Sequence, residues 1–154
     1  MSEFVALGPD DAGELLTLQR AAYATEAQLY GDAFLPALTQ TVDELRDELA
    51  GPSLGIRHGH RLVAALRWFV DNDVAHINRI VVAPDMQGRG LGTHLLREAE
   101  RLSGASGFEL FTGHLSVANL RLYEREGYEQ TMRMPLREGV ELVYLHKQAP
   151  TRTA

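Results

Sequence analysis

The chain has 154 residues and a net charge of −6, with 45% hydrophobic residues, 23% charged residues and no cysteine. These values are typical of one globular domain; the negative charge argues against a nucleic-acid partner, and the lack of cysteine excludes disulfides, thiolate metal sites and a cysteine nucleophile. No apolar run approaches the ~20 residues of a membrane span, and Met1–Phe4 lacks the start of a signal peptide, so we expect a cytoplasmic protein without a membrane partner.

The first half of the chain predicts one strand and two helices before a β-meander. A proline followed by two acids, just after Gly8, starts the first helix, and its apolar stripe is interrupted at Gly31 and Pro36. Thr41 and Glu44 form a capping-box signature for the second helix, which ends before Pro52. The strand signals of this half are Phe4–Leu7, Leu54–Arg57, Arg61–Val70 and Val74–Val82.

In the second half, helices and strands alternate. A helix with an apolar face follows a glycine-rich stretch, and a shorter helix, which Ser116 could cap, stops at Gly127. The strand signals of this half are Phe108–Thr112, Tyr128–Leu136 and Val140–Lys147.

The order of elements, β-α-α-β-β-β-α-β-α-β-β, predicts a mixed α/β (α+β) domain over residues 1–148 with a frayed tail at 149–154. We expect a twisted, largely antiparallel sheet of about seven strands, flanked by about four helices. A β-α-β crossover returns to the same sheet, so Val74–Val82 and Phe108–Thr112 should pair in parallel.

The glycine-rich stretch PDMQGRGLGTHLL lies between a strand and a helix, and its glycines are Gly88, Gly90 and Gly92. A helix N-terminus leaves about four backbone N–H groups unpaired and favours an anion. Glycine lets such an anion approach the backbone without meeting a Cβ. Met86–Thr93 is therefore a candidate pyrophosphate site, to which Arg89 adds positive charge.

The alternative interpretation of this stretch is a structural turn. Three alternating glycines exceed what a turn requires, which favours the anion site. The established phosphate motifs fit poorly, because the P-loop needs a lysine that is absent here. The dinucleotide fingerprint needs a glycine where Thr93 stands.

Two segments resemble the signatures of the GNAT acetyltransferase superfamily. Gln87–Gly92, QGRGLG, is similar to its Gln/Arg-x-x-Gly-x-Gly/Ala signature, and Asn119–Tyr128, NLRLYEREGY, is similar to its Asn…Leu-Tyr-x-x-x-Gly-Phe/Tyr segment in a shorter form. With the element order, the resemblance covers about Val74–Lys147. It implies a GNAT-like fold and N-acetyltransferase activity.

The resemblance also implies acetyl-CoA, or another acyl-CoA, as donor. The pantetheine arm would lie along the strand before the glycines, which splays from its neighbour, while the pyrophosphate would sit on the backbone of the motif. The residues implied for donor binding are Ile80, Val81, Val82, Gln87, Gly88, Arg89, Gly90, Leu91, Gly92, Thr93, Asn119 and Tyr123. One local pattern agrees, since Ile77 and Ile80 break strict alternation and predict a bulge.

The chemistry needs a polarised carbonyl, a proton for the leaving sulfur and a neutral amine. A backbone N–H, such as that of Val82, could polarise the carbonyl. The resemblance gives Tyr123 the role of acid, and a phenol of pKa ~10 stays protonated beside a thiol of pKa ~8.5. The alternative for Tyr123 is a core aromatic packed with Leu120.

For the base, the family spacing leads to His76, where some members have a glutamate. Histidine titrates near neutral pH and could take the proton directly or through water, which Asn78 could position. His114 and Glu109 are further candidates, and so is the absence of any dedicated base. A strand histidine is also commonly a packed or surface residue.

The resemblance puts the acceptor between the N-terminal helices and the sheet. Tyr23, Glu26 and Tyr30 recur there at helical spacing, and aromatic rings with a carboxylate suit an ammonium group. Asp32 and His114 are further candidates, and the alternative is a helix face followed by a loop. The expected acceptor is a primary amine of a small molecule or peptide.

Two rival functions are alternatives to acetyl transfer. One is a module that binds acyl-CoA without turnover, and the other is a dinucleotide-dependent enzyme, which the glycine spacing disfavours. We read His58 and His60 as a solvated hairpin tip and predict no metal site. The protein could be a monomer or a homodimer.

Overall fold

The computed structural model of the protein describes residues 2–150, which form a seven-stranded sheet with five α-helices. The strands are β1 (Ser2–Ala6), β2 (Ser53–His58), β3 (Arg61–Asp71), β4 (Val74–Val82), β5 (Gly107–Gly113), β6 (Glu129–Arg137) and β7 (Val140–Gln148). The helices are α1 (Ala12–Tyr30), α2 (Pro36–Thr39), α3 (Val42–Glu48), α4 (Leu91–Ser103) and α5 (Val117–Arg125), with 3₁₀ turns at Pro9–Asp11 and Pro84–Met86.

The strands follow the order β1-β2-β3-β4-β5-β7-β6, and only the central β4–β5 pair is parallel. The predicted fold class and the predicted parallel pair are therefore confirmed. The two parallel strands pair over three positions, Val74–His76 with Gly107–Glu109. Beyond them β4 and β5 diverge, which opens a slot in the middle of the sheet.

A bulge interrupts β4 where the sequence predicts one. Ala65 of β3 pairs with Val81, whereas Arg67 pairs with Asn78, so that two residues of β4 oppose one residue of β3. One of the two is Arg79, which has a φ of 55° inside a strand. Such a left-handed backbone costs a non-glycine residue on the order of 1–3 kcal/mol and commonly marks a functional site.

Both faces of the sheet centre are covered. β3 is buried at seven consecutive positions, 62–68, which an uncovered face would not permit because side chains alternate between faces. Helix α1 packs on β3 and β4 and is itself in contact with α2 and α3. Helix α4 packs on β2, β3 and β4. At the other end, β6 is exposed at all nine positions and forms an edge.

Several element boundaries follow the predicted signals. Thr41 Oγ1 accepts the Glu44 N–H at 3.2 Å, and Glu44 Oε1 accepts the Thr41 N–H at 2.9 Å, which completes the predicted capping box. Gly31, with a φ of 60°, ends α1. Among residues 2–150, no helix is long and apolar enough to cross a membrane.

Three boundaries differ from the predictions. Pro9–Asp11 forms a 3₁₀ turn ahead of α1, and α2 is an additional helix whose four residues are too few to show a helical period. The backbone N–H of Ala149 donates to Ser106 O at 2.8 Å, so order extends into the predicted tail. The rest of that prediction, residues 151–154, lies outside the described part of the chain, as does Met1.

Candidate active site

A row of backbone N–H groups lies at the C-terminal end of β4. Within residues 2–150, the N–H groups of residues 87–93 have no backbone acceptor, and the first bond of α4 runs from His94 N to Gly90 O at 3.0 Å. Gly90 is the N-cap of α4 and has no side chain to bond them. An anion bound here would satisfy several of these groups and the helix dipole.

The three glycines of this segment serve two purposes. Gly88 and Gly90 have φ values of 78° and 77°, and a Cβ on either would project into open space. They therefore shape a concave backbone surface that a side chain would partly fill. Gly92 has an ordinary φ, and a Cβ there would lie 3.1 Å from Leu122 Cδ2, so it allows α4 to approach α5.

The N–H row of residues 87–93 and the glycines that shape it form a cradle for an anion. The slot between β4 and β5 adjoins this cradle. The N–H of Ala83 donates to Val63 O of β3 at 2.8 Å. Because backbone groups alternate in direction along a strand, the N–H of Val82 points away from β3 and towards the slot. On the other side, Asn119 Nδ2 donates to Thr112 Oγ1 at 3.3 Å and fixes α5 against the end of β5. An extended chain could thus pair with the free edge of β4.

Tyr123 is buried, with 5% of its surface exposed, and its ring lies 6.2 Å from that of Tyr128. Its hydroxyl forms no side-chain hydrogen bond within residues 2–150, where no fully buried side-chain N or O atom lacks a partner. The hydroxyl is therefore the accessible tip of a buried side chain. Burial, with smaller effects of Tyr23 and Glu26, raises the pKa of Tyr123 above its usual value, so the phenol stays protonated.

Tyr30, Ser116 and Glu26 form a hydrogen-bonded chain between α1 and the start of α5. Ser116 Oγ donates to Glu26 Oε2 at 2.6 Å and lies 2.7 Å from Tyr30 Oη, which donates to it in turn. The predicted capping role of Ser116 is thus wrong: it occupies the N-cap position of α5 but makes no capping bond. Its hydroxyl instead holds the Glu26 carboxylate near Tyr123.

Tyr23 lies on the same face of α1, beside two arginines. Burial raises the pKa of Tyr23, and the Arg79 guanidinium next to its hydroxyl partly opposes that effect. Arg67 is buried and pairs with Glu48 at 3.0 Å, although burial still lowers the pKa of its guanidinium. The structure therefore brings three of the predicted acceptor residues, Tyr23, Glu26 and Tyr30, together with Tyr123, and Arg79 joins them.

The two histidine candidates have other contacts. His76 stacks on Phe69, with ring centroids 4.7 Å apart, at the last position where β4 and β5 pair. His114 Nδ1 accepts the N–H of Glu141 at 3.0 Å, so the neutral ring carries its proton on Nε2 and has no free nitrogen lone pair. Within residues 2–150, neither ring is hydrogen-bonded to Tyr123 or to Glu26. Their proposed roles stay predictions.

The remaining candidates lie at the edges of this region. Asn78 and Glu109 line a shallow pocket together with His76. Asp32 pairs with Arg137 at 3.7 Å, which ties the end of α1 to β6. Within residues 2–150, no group of three or more histidine, aspartate and glutamate side chains could hold a metal ion.

Sequence reasoning missed Ser116 and Arg79 as site residues. Ser116 has the signature of a helix cap, and only the long-range contact with α1 reveals its other partner. Arg79 stands between Ile77 and Ile80, whose spacing does predict the bulge. That signal would have found Arg79, because the residues of a bulge are re-aimed and often lie next to active sites.

The fold and the cradle define an α/β protein in which a helix N-terminus faces a slot between two central parallel strands. The sequence model of the Acetyltransferase (GNAT) family matches residues 18–128. This match covers more than half of the chain, which belongs to the GNAT acetyltransferase family.

Solved structures share the fold of this chain, and one curated protein is similar to it in sequence. PaiA N-acetyltransferase of Thermoplasma acidophilum, solved in complex with coenzyme A, superposes with a TM-score of 0.83 at 17% identity, over 97% of this chain and 99% of that one. YncA of Salmonella typhimurium, solved with acetyl-CoA, gives 0.74 at 18% identity over 100% and 97%. The curated protein YqkA of Bacillus subtilis is 25% identical over 139 residues, which are 88% of this chain and 39% of YqkA. The chain thus spans about two fifths of that relative's length.

Proposed function

We propose that this protein transfers an acetyl group from acetyl-CoA to a primary amine of a small molecule or peptide, with both substrates bound together. The observation that carries the proposal is the row of unpaired N–H groups over residues 87–93 at the mouth of the β4–β5 slot. The coenzyme A in the PaiA structure and the acetyl-CoA in the YncA structure support a coenzyme A compound as its ligand.

Acetyl-CoA, when bound, supplies an activated acetyl thioester. The N–H groups of Gln87, Gly88, Arg89, Gly90, Leu91, Gly92 and Thr93 would bind its pyrophosphate, and the Arg89 side chain would add a positive charge. The free edge of β4 at Ile80, Val81 and Val82 would pair with the pantetheine amides, as an added strand does. Asn119 would orient this arm from α5.

Tyr123 is the proposed acid. Its hydroxyl is protonated, accessible and without a protein partner, so it can donate to a sulfur as the C–S bond breaks. The N–H of Val82 would stabilise negative charge on the carbonyl oxygen. The acceptor nitrogen loses one proton before attack and one as the C–N bond forms; the sulfur takes one, and one is released.

Two side chains are candidates to take the first proton. His76 follows from the family spacing, because it stands where some members have a glutamate. Glu26 is favoured by position, because its carboxylate influences the pKa of Tyr123 and is aimed by Ser116. Glu26→Gln and His76→Gln variants distinguish them: the true base is the one whose loss removes the acidic limb of the pH–rate profile.

The first experiment is thermal unfolding with acetyl-CoA, CoA, NAD and ATP, each in large excess. A ligand at ~100 times its Kd adds about 2.7 kcal/mol to the stability, so we expect acetyl-CoA and CoA to raise the Tm, and NAD and ATP to leave it unchanged. Absence of stabilisation by any CoA compound would contradict the proposal.

The alternative function is a module that binds acyl-CoA without turnover. Release of CoA thiol that depends on added amine would exclude it. Binding of acetyl-CoA without thiol release, over a broad panel of amines, would favour it. For oligomeric state we propose a monomer or a homodimer, which light scattering can decide.

A further inference from the structure

Arg79 has a conformation and a place that donor binding does not explain. It stands in the bulge of β4 with a left-handed backbone, directly before the edge proposed for pantetheine. Its guanidinium lies beside Tyr23 on the α1 side of the sheet, whereas the pyrophosphate cradle lies beyond the end of β4 at residues 87–93. A long cationic side chain is thus held on the acceptor side of the slot.

Arg79 and Glu26 lie near the Tyr23 hydroxyl with opposite charges but form no ion pair with each other, and Arg67 is a second cation nearby. Arg79 and Glu26 both act on this phenol, and both are half-buried. In the part of the chain that the structure describes, no ion pair within 4.0 Å involves either residue, whereas the nearby Arg67 has Glu48. The site therefore presents a separate cation and anion within the reach of one tyrosine ring.

The polar atoms of this pair are open to a ligand. Ser116 occupies Glu26 Oε2, and no donor within residues 2–150 bonds Oε1. Every fully buried side-chain N or O atom in those residues has a partner, so the atoms of Arg79 and Glu26 that lack one are accessible. Together they offer a bidentate donor for a carboxylate and an acceptor for an ammonium group.

We propose that the acceptor is a zwitterion, an amino acid or a close analogue, whose carboxylate binds Arg79 and whose amine binds Glu26. This inference rests on the proposed acetyl transfer and names the substrate class of the same site. A diamine or polyamine would bring a second positive charge against Arg79. A simple monoamine would leave Arg79 unpaired.

The test compares each free amino acid with its amide and with the amine that lacks the carboxylate, after CoA binding has been verified by thermal unfolding. We expect carboxylate-bearing amines to stabilise the CoA complex and to be acetylated with a kcat/KM at least about tenfold above that of their amides. A hydrogen bond to a charged group is worth about 1.5–3 kcal/mol, which corresponds to about 10–150-fold.

Arg79→Asn keeps a residue that tolerates the left-handed backbone while it removes the cation. We expect it to raise the KM of the amino acid about 10–100-fold, to leave the KM of the amide unchanged and to preserve the Kd of CoA. Arg79→Lys should give an intermediate KM, because it keeps the charge but loses the planar fork. Arg133→Asn on the exposed edge strand is the control and should change none of these values.

Three results would overturn the proposal: amides or diamines used as well as amino acids, a CoA complex that no amino acid stabilises, or an Arg79→Asn variant that weakens all acceptors or CoA itself equally. Failure of the proposed function is a different result, since CoA compounds would then not stabilise the wild-type protein at all.

Discussion

The hydroxyl of Tyr30 lies where a side chain at position 113 would have to lie, because a Cβ built on Gly113 would overlap it. The last residue of α1 thereby touches the last residue of β5, and the same hydroxyl donates to Ser116. Glycine at position 113 is therefore needed for the hydrogen bonds that link Tyr30 through Ser116 to Glu26.

Gly113→Ala should therefore displace Tyr30 and release the Glu26 carboxylate. We expect a loss of about 1–3 kcal/mol of stability, typical of overpacking, and a fall in kcat/KM with unchanged affinity for acetyl-CoA. Urea unfolding and steady-state kinetics measure the two effects. Gly13→Ala in α1 is the matched control, since a Cβ there meets nothing within 4 Å and should maintain or raise the stability. A fully active Gly113→Ala enzyme would show that the hydrogen bonds from Tyr30 through Ser116 to Glu26 have no role in catalysis.

Tyr123→Phe should lower kcat by about 10²–10⁴-fold, the range of general acid catalysis, while the Kd of acetyl-CoA stays the same. The ring remains, so the packing against Tyr128 is retained. Thiol release and calorimetric titration provide the two numbers. Tyr144→Phe, which removes a hydroxyl from a ring that lies tilted against Phe111, should leave both unchanged. A Tyr123→Phe enzyme of normal kcat would show that water or another group protonates the sulfur.

The cradle prediction separates backbone shape from packing. Gly90→Asn retains the left-handed conformation but places a side chain in the open space before the N–H row, so we expect weaker acetyl-CoA binding with a folded protein. Gly104→Asn, at the other end of α4 with a φ of 63°, is the matched control and should keep the affinity. Equal affinities of the two variants would argue that the ligand does not approach Gly90.

Gly92→Ala, in contrast to Gly90→Asn, should lower the stability and leave the affinity for acetyl-CoA unchanged. Its Cβ would press on Leu122 at 3.1 Å, the end of a flexible side chain, so we expect a stability loss of about 1 kcal/mol or less and an unchanged Kd for acetyl-CoA. Denaturant unfolding and ligand titration distinguish the two. A large loss of affinity would show that the third glycine also lies against the ligand.

The protonation of Tyr123 has a measurable consequence for stability. Burial raises the pKa of Tyr123, so the folded protein keeps a proton that the unfolded chain releases near its ordinary pKa of ~10. Above about pH 10 the unfolded state binds fewer protons than the folded state. The free energy of unfolding therefore falls as the pH rises through that range.

Tyrosinate absorbance tests this directly. At pH ~10.5 native wild-type and native Tyr123→Phe proteins should form the same number of tyrosinates. The unfolded variant should form fewer than the unfolded wild type, by about three quarters of one tyrosinate. Burial also raises the pKa values of Tyr23 and Tyr128. Both residues are present in the two proteins, so they do not affect the difference in tyrosinate number. A similar deficit in the native variant would show that Tyr123 ionises near its ordinary pKa and is less enclosed than in this structure.

Local signals in the sequence account for most of the fold. The capping box at Thr41, the left-handed Gly31 and the alternating apolar runs are short-range features, and each strand lies within two residues of its predicted bounds. The bulge in β4 was also predictable, because it changes a period of two. Helix α2 was not, since four residues carry no period.

The donor side of the candidate site was predictable for the same reason, as the cradle is one continuous segment. The acceptor side was predictable only as a list of residues on α1. The bond between Ser116 and Glu26 joins positions 90 residues apart, and the place of Arg79 beside Tyr23 depends on the packing of α1 on β4. No local pattern contains these contacts.

The short pairing of β4 with β5 has a mechanical consequence. Within the sheet, the strand pairing that joins the part made of β1, β2, β3 and β4 to the part made of β5, β7 and β6 is three residue pairs long. We therefore expect the angle between the two parts to vary more easily than the angles between other neighbouring strands. An extended ligand that fills the slot would fix that angle. Amides near Val74 and Gly107 should exchange with solvent through a partial opening that leaves both parts folded, and their protection reports how firmly the two halves are hinged.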